Sequence, residues 1–182
     1  NNATQPVSTS QPKIVEGGVL VADGIQFDGV DVLNTSLVPP SVATFATVAS
    51  VASTGVNQII LGARDSTNER SYLMVSLSSD LNLGSGAESL SGGSVSSGSN
   101  FVAFGMHNGT EDLVSLNGTE ASESGSAPNN TVQGYSIGAL NNAGSDSNFL
   151  NGTISEVIIY DSDQSAFRTN IEFNINNAYS IY

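Results

Sequence analysis

The sequence predicts an all-β domain, an antiparallel two-sheet sandwich with one short C-terminal helix. From Lys13 onward, short apolar runs alternate with clusters of Gly, Ser, Asn and Asp, the pattern of many strands joined by tight turns. β-Branched residues sit inside the runs and favour strand, while Gly and Ser between them break helices. Only one segment, near the end, spaces its apolar residues as a helix does. At 182 residues the chain fits a single domain, because sandwiches of this length often run undivided.

Residues 1–12 are polar, carry Pro6 and Pro12 and lack periodicity, so they read as a tail or linker. The domain proper is expected over 13–182. Strands are expected at 18–22, 42–52, 58–61, 72–77, 101–104, 113–116, 135–137 and 154–160. Within 72–77, alternation puts Leu73, Val75 and Leu77 on one face and Tyr72, Met74 and Ser76 on the other. The Gly- and Ser-rich stretch 83–100 has little to bury and reads as short edge strands and exposed loops.

Asn-Gly-Thr begins at Asn108, Asn117 and Asn151. Asn-Gly accepts the positive φ angles of a type I′ turn, so each is expected to reverse a strand. The spacing is irregular, which argues against a tandem repeat. Late in the chain, Asp161 and Asp163 supply an N-cap and an acidic first turn. Phe167, Ile171, Ile175 and Ala178 then form an apolar stripe, predicting a helix over Ser165 to Asn176 that lies on the sandwich.

The charge balance excludes several functions. Against 17 Asp and Glu stand Lys13, Arg64, Arg70 and Arg168, giving a net charge of −13. Four scattered cations cannot neutralise the several phosphates that nucleic-acid binding requires, and an anionic membrane surface is disfavoured for the same reason. With no Cys, thiol nucleophiles and Cys-ligated zinc are ruled out. No apolar run approaches the ~18 residues of a membrane span, so membrane insertion is not expected. The polar start at Asn1 shows no signal-peptide pattern and reads as a processed chain or an excerpt.

Three segments resemble the laminin-G-like and concanavalin-like jelly-roll family. Residues 24–31 (GIQFDGVD) are similar to its opening strand and turn. Residues 101–118 resemble its central hairpin. Residues 135–139 (YSIGA) with 149–160 (FLNGTISEVIIY) are similar to its closing strands before a short helix. The resemblance spans about 14–182, and the ending around 163–172 is most similar to versions in bacteriophage structural proteins. It implies a jelly-roll sandwich serving as a carbohydrate-binding, adhesion or virion-surface module. The family's frequent central Trp and the Glu-x-Asp-x-x-Glu strand of the related glycoside hydrolases are absent. Those departures weaken an aromatic sugar platform and hydrolysis alike.

Candidate site residues are few. Gly134 to Gly138 fits the G-x-S-x-G pattern around Ser136, but a nucleophile elbow needs a following helix and a His later in the chain. The single His, His107, comes earlier; a His107, Asp112 and Ser136 grouping in another order stays open. The balance favours a strand with permissive glycines and no enzyme. Glu111 with Asp112, or Glu120 with Glu123, could pair as acid and base, yet such carboxylates are usually solvated. His107 alone is a weak metal ligand. Asp28, beside Asp23 and Asp31, is the candidate calcium ligand, with turn formation the stronger reading and no other cofactor expected. Arg64, Asp65, Asn68, Glu69 and Arg70 could hydrogen-bond sugar hydroxyls from a rim loop, though the loop equally suits a plain hairpin. Tyr72, Tyr135, Tyr160, Tyr179 and Tyr182 could stack on sugars, with core packing the expected role. Six glycosylation sequons are permitted by composition rather than indicated by it.

The reading that follows is a non-enzymatic surface module of a phage particle or similar extracellular assembly. Its partners would be structural proteins of the same assembly, in many copies or as a homo-oligomer, with glycans possible. The alternative is a carbohydrate-binding adhesin domain of a secreted or cell-surface protein, with hydrolysis a distant third.

Overall fold

The computed structural model describes residues 2–21, 23–66, 69–127 and 133–182. In chain order the strands are β1 (Val15–Glu16), β2 (Val19–Leu20), β3 (Ile25–Asp28), β4 (Leu33–Asn34), β5 (Ala43–Val51), β6 (Gln58–Ser66), β7 (Glu69–Val75) and β8 (Asp80–Ser85). They continue as β9 (Glu88–Ser94), β10 (Phe101–His107), β11 (Glu111–Leu116), β12 (Thr119–Ser124), β13 (Ser136–Ile137), β14 (Leu140–Asn142), β15 (Ser145–Ser147) and β16 (Asn151–Tyr160). A 3-10 turn, Ser165–Phe167, leads into helix α1 (Arg168–Tyr179).

Two sheets stack, as expected. The first runs β12-β11-β10-β5-β16-β3, entirely antiparallel. The second runs β15-β14-β6-β7-β8-β9, with β13 pairing both β4 and β6. Its β14–β6 pair is parallel, the one such pairing among the described residues. Between the sheets lies the main core, including Phe27, Phe45, Leu61, Leu73, Leu83 and Tyr135. Burying each of the large side chains contributes about 2–3 kcal/mol before entropy is counted.

Strand β10 shows how the sequence encodes its layer. Phe101, Ala103 and His107 point between the sheets, while Val102, Phe104 and Met106 pack under Ile175 of α1. Both faces are covered, so the strand is buried throughout and reads as a continuous apolar run.

Several expectations are refined. Asn117 and Gly118 form the β11–β12 turn with φ of 49° and 81°, as type I′ requires. Asn108 opens the β10–β11 turn, its Oδ1 accepting from the Thr110 and Glu111 amides at 2.9 and 2.8 Å. Asn151-Gly152 reverses nothing: it begins β16, and a Cβ on Gly152 would lie 2.0 Å from the Ser50 carbonyl oxygen. This glycine serves close backbone approach rather than a turn. The stretch 83–100 does supply an edge strand, β9, but it also completes β8, an interior strand, and its Leu83, Leu90 and Val95 enter the main core, more burial than expected. Leu77 lies beyond β7 and is exposed.

Residues 2–12, read as a tail, run alongside β4. The Thr4 amide donates to the Asn34 carbonyl and the Asn34 amide donates back, both at 2.9 Å. The helix begins three residues later than expected, because 165–167 wind as a 3-10 turn. Its Ser165 amide donates to Asp163 Oδ1 at 2.9 Å, so Asp163 caps that turn instead. The tighter winding shifts the phase of the stripe: Ile171 and Ile175 face the sheet, while Phe167 turns to solvent. Among the described residues no helix is long and apolar enough to cross a membrane.

Candidate sugar-binding groove

The outer face of the first sheet carries α1, and a polar anchor fixes the helix there. Glu172, buried on the helix underside, accepts from Ser115 Oγ of β11 at 2.5 Å and pairs with Arg168 one turn earlier. Arg168 also pairs with Glu120 of β12 at 2.8 Å. Two links thus tie the helix to the sheet, Arg168 to Glu120 and Glu172 to Ser115, while Arg168 and Glu172 pair within the helix. This network was invisible in the sequence, where Glu172 sits on what reads as the polar side of the stripe.

Past the helix the chain turns back. Ser180 adopts the left-handed conformation at φ 54°, and Asn176 gathers the end of the chain. Its Oδ1 accepts from the amides of Ile181 and Tyr182 at 2.8 and 2.9 Å, and its Nδ2 donates to the Tyr182 carbonyl. Tyr182 is thereby held over Gly118, whose missing side chain would lie 3.4 Å from the phenol. Together Tyr182, Gly118, Phe173, Thr169, Arg168 and Glu172 border a groove of about 300 Å³. Phe173 is 62% exposed and Tyr182 52% exposed, so two aromatic side chains reach solvent at the groove. Burial raises the Tyr182 phenol, and the Glu172 charge adds to this while Arg168 opposes it. An aromatic face beside hydroxyl, guanidinium and carboxylate groups is the set that takes a sugar's C–H face and its hydroxyls.

Expected core roles for the tyrosines hold only in part. Tyr135 and Tyr72 are buried, but Tyr179 is 40% exposed and Tyr182 more so. Among the described residues, Tyr179 and Tyr182 lie on α1 and just after it, outside the space between the two sheets where Tyr135 packs.

The other predicted residues lie elsewhere. Arg64 and Arg70 are directly opposite on β6 and β7 of the second sheet, on the far side of the sandwich from α1. Arg70 donates to the Ala87 carbonyl, and its guanidinium carbon lies 5.9 Å from the Tyr72 ring centroid. Asp65 occupies a bulge between them, Glu69 starts β7, and Asn68 lies outside the described residues. These positions form the end of a hairpin, separate from the aromatic groove.

Asp28 closes a turn: its Oδ1 accepts from the Val30 amide at 3.2 Å, and Asp31 Oδ2 accepts from the Asp28 amide at 3.0 Å. Two carboxylates fall short of the six to eight oxygens calcium takes. Among the described residues no three His, Asp or Glu side chains gather in a way that could hold a metal.

His107, Asp112 and Ser136 do not assemble. Ser136 Oγ donates within reach of Asn34 Oδ1 and Asp146 Oδ1, at 2.6 and 2.9 Å. His107 Nε2 instead meets Ser71 Oγ at 3.0 Å, and Ser71 meets the Tyr135 hydroxyl at 2.6 Å. All three are buried, so this Ser–His contact belongs to the core. Of the carboxylate pairs, Asp112 points inward while Glu111 is exposed, and alternation puts Glu120 and Glu123 on opposite faces of β12.

No family model and no curated protein matches the sequence. Solved structures do share the architecture. A NanB sialidase from Streptococcus pneumoniae superposes with TM-score 0.64 at 14% identity, covering 79% of this chain and 26% of that one. This chain therefore spans about a quarter of that sialidase. An SAP-like pentraxin from Limulus polyphemus gives TM-score 0.60 at 15% identity over 79% of this chain and 77% of that one. The CBM40 of a Ruminococcus gnavus sialidase, solved with α2,3-sialyllactose, gives 0.58 at 14% identity over 70% and 79%. The fold is an antiparallel two-sheet jelly-roll sandwich. At such identities the likeness establishes architecture alone.

Proposed function

We propose that this domain is a non-enzymatic carbohydrate-binding module of a secreted or surface-displayed protein, with the groove beside α1 as its sugar site. The observation that carries this reading is Tyr182, whose backbone Asn176 holds so that its phenol lies beside Gly118 and lines the same groove as exposed Phe173. Holding the backbone that carries an aromatic residue lowers part of the entropy lost when ligand arrives. The likeness to a CBM40 solved with a sialylated sugar supports the same reading by analogy of fold. A glycan array probed with the wild-type domain and with Phe173→Ala/Tyr182→Ala tests it. Signal on the wild type that the double variant loses is expected; a blank array for the wild type would refute the proposal.

The second reading is a decoration or attachment role in a phage particle or comparable assembly. It draws on the β1–β2 hairpin, where Val15, Val19 and Leu20 are 47–73% exposed. An apolar hairpin in water fits a docking element. Purified particles treated with a Val19→Ser/Leu20→Ser variant would retain it unchanged if that role is wrong.

A further inference from the structure

We infer that α1 carries a second sugar site on its opposite flank, facing β16, and that the two sites take neutral rather than acidic sugars. The inference rests on the sugar-binding reading above and extends it to valency and ligand charge.

Strand β16 supplies one wall. Glu156, Ile158 and Tyr160 lie at alternate positions, so all three project from the outer face toward the helix. Helix α1 supplies the other wall with Ile171, Asn174 and Ala178, spaced at one-turn intervals. The groove between them measures about 300 Å³, the same as the Phe173 groove across the helix. Ile158 and Ile171 make it apolar between a phenol, a carboxylate and an amide. Glu156 can accept from vicinal hydroxyls, Asn174 can donate and accept, and the Tyr160 ring offers a face to C–H bonds. Each flank of the helix thus presents an aromatic residue, a carboxylate and hydrogen-bonding side chains around a sugar-sized space.

Charge narrows the ligand. Arg168 is the cation of the first groove and is already shared by Glu120 and Glu172. The second groove holds Glu156 and no Lys or Arg in its walls. A carboxylated or sulfated sugar entering either space meets net negative charge, within a protein of net charge −13. A neutral hexose meets acceptors matched to its hydroxyls. Two sites on one helix would also let the module bridge neighbouring chains of a glycan surface, raising avidity without further contacts.

The test is a ¹H–¹⁵N titration of the whole domain with methyl α-mannoside, methyl β-galactoside and methyl β-glucoside, and with sialyllactose as the acidic arm. At least one neutral glycoside should shift two separate sets of amides, one around Tyr160 and Asn174, the other around Phe173 and Tyr182. Tyr160→Ala or Asn174→Ala should abolish the first set and spare the second, with Phe173→Ala doing the reverse; the unshifted remainder of each spectrum reports folding. Shifts confined to the Phe173 flank would overturn the second site and leave the sugar-binding reading intact. Response to sialyllactose alone would overturn the neutral-ligand assignment. No response on either flank to any probe would remove both this inference and the function beneath it.

Discussion

His107 and Asp112 face one another across β10 and β11, paired in register and fully buried inside the sandwich. Among the described residues, no well-formed hydrogen bond reaches Nδ1 of the imidazole or either carboxylate oxygen, and the Ser41 backbone and Ser85 hydroxyl offer only weaker polar contact. Burial pushes the imidazole down to about 4, with the Ser41 backbone opposing. Burial pushes the Asp112 carboxyl up to about 6; the nearby Ser85 hydroxyl opposes this, while Glu123 and Glu88 add to it. The imidazole is thus neutral above about pH 4 and the carboxyl below about pH 6, so both are neutral together only between those values.

That neutrality sets a pH signature. As pH falls from 6.5 toward about 4, the unfolded chain protonates its histidine while the fold resists, so His107 erodes stability in that window. As pH rises from 3.8 toward about 6, the unfolded chain ionises its aspartate while the fold resists, so Asp112 erodes stability in the opposite direction. Each contribution amounts to roughly 3 kcal/mol over its window. Between pH 4 and 6 the two slopes should nearly cancel, leaving this pair's contribution flat. Urea unfolding of Asp112→Asn should reveal the histidine slope, with stability falling as the solution is acidified. His107→Gln should show the reverse. Parallel pH profiles for both variants would contradict the assignment.

Gly152 tests the close approach of β16 to β5. An added Cβ meets the Ser50 carbonyl, which is backbone and cannot swing away. Gly152→Ala should cost about 3 kcal/mol or more in thermal or urea unfolding, though its Asn-Gly context looks like a tolerant surface turn. A loss below 1 kcal/mol, roughly the cost of an ordinary substitution, would mean the strands can separate there.

The helix anchor predicts non-additivity. Arg168→Met strands the buried Glu172 carboxylate and should cost about 3 kcal/mol. Replacing both, Arg168→Met/Glu172→Met, should recover most of that loss, because an apolar pair needs no charge compensation. A double variant no more stable than the single would show that the ion pair is not what holds α1 down.

Phe173 separates binding from stability. Its side chain is largely in water, so Phe173→Ala should change unfolding free energy by less than about 0.5 kcal/mol. Sugar affinity should fall tenfold or more, about 1.4 kcal/mol. Equal damage to both would place Phe173 in the fold rather than in a site.

Pattern explains why the strands were legible. Alternation and flanking turn residues located the core of β5, β6, β7, β10, β11 and β16, because each buries at least one full face and must therefore be apolar at every second position. The Asn117-Gly118 turn was readable for the same local reason, since positive φ restricts the residue types allowed. Asn151-Gly152 carries the identical dipeptide, yet there the glycine answers to a neighbouring strand far away in sequence. No local signal distinguishes the two.

The candidate groove was not legible. Its members come from 118, 168–176 and 182, joined only when α1 docks and Asn176 folds the tail back. Nothing in a linear reading sets Tyr182 apart from the buried Tyr135, or tells that Glu172 points into the sheet.

By itself, the sequence determined the class of fold, the net negative charge and the presence of one docked helix. Those properties depend on composition and on spacing within a few residues. Tertiary structure alone decided which tyrosines reach water, where His107 finds its serine, and that the arginine hairpin and the aromatic groove occupy opposite faces. Such outcomes depend on which strands become neighbours, a choice made by packing among residues a hundred positions apart.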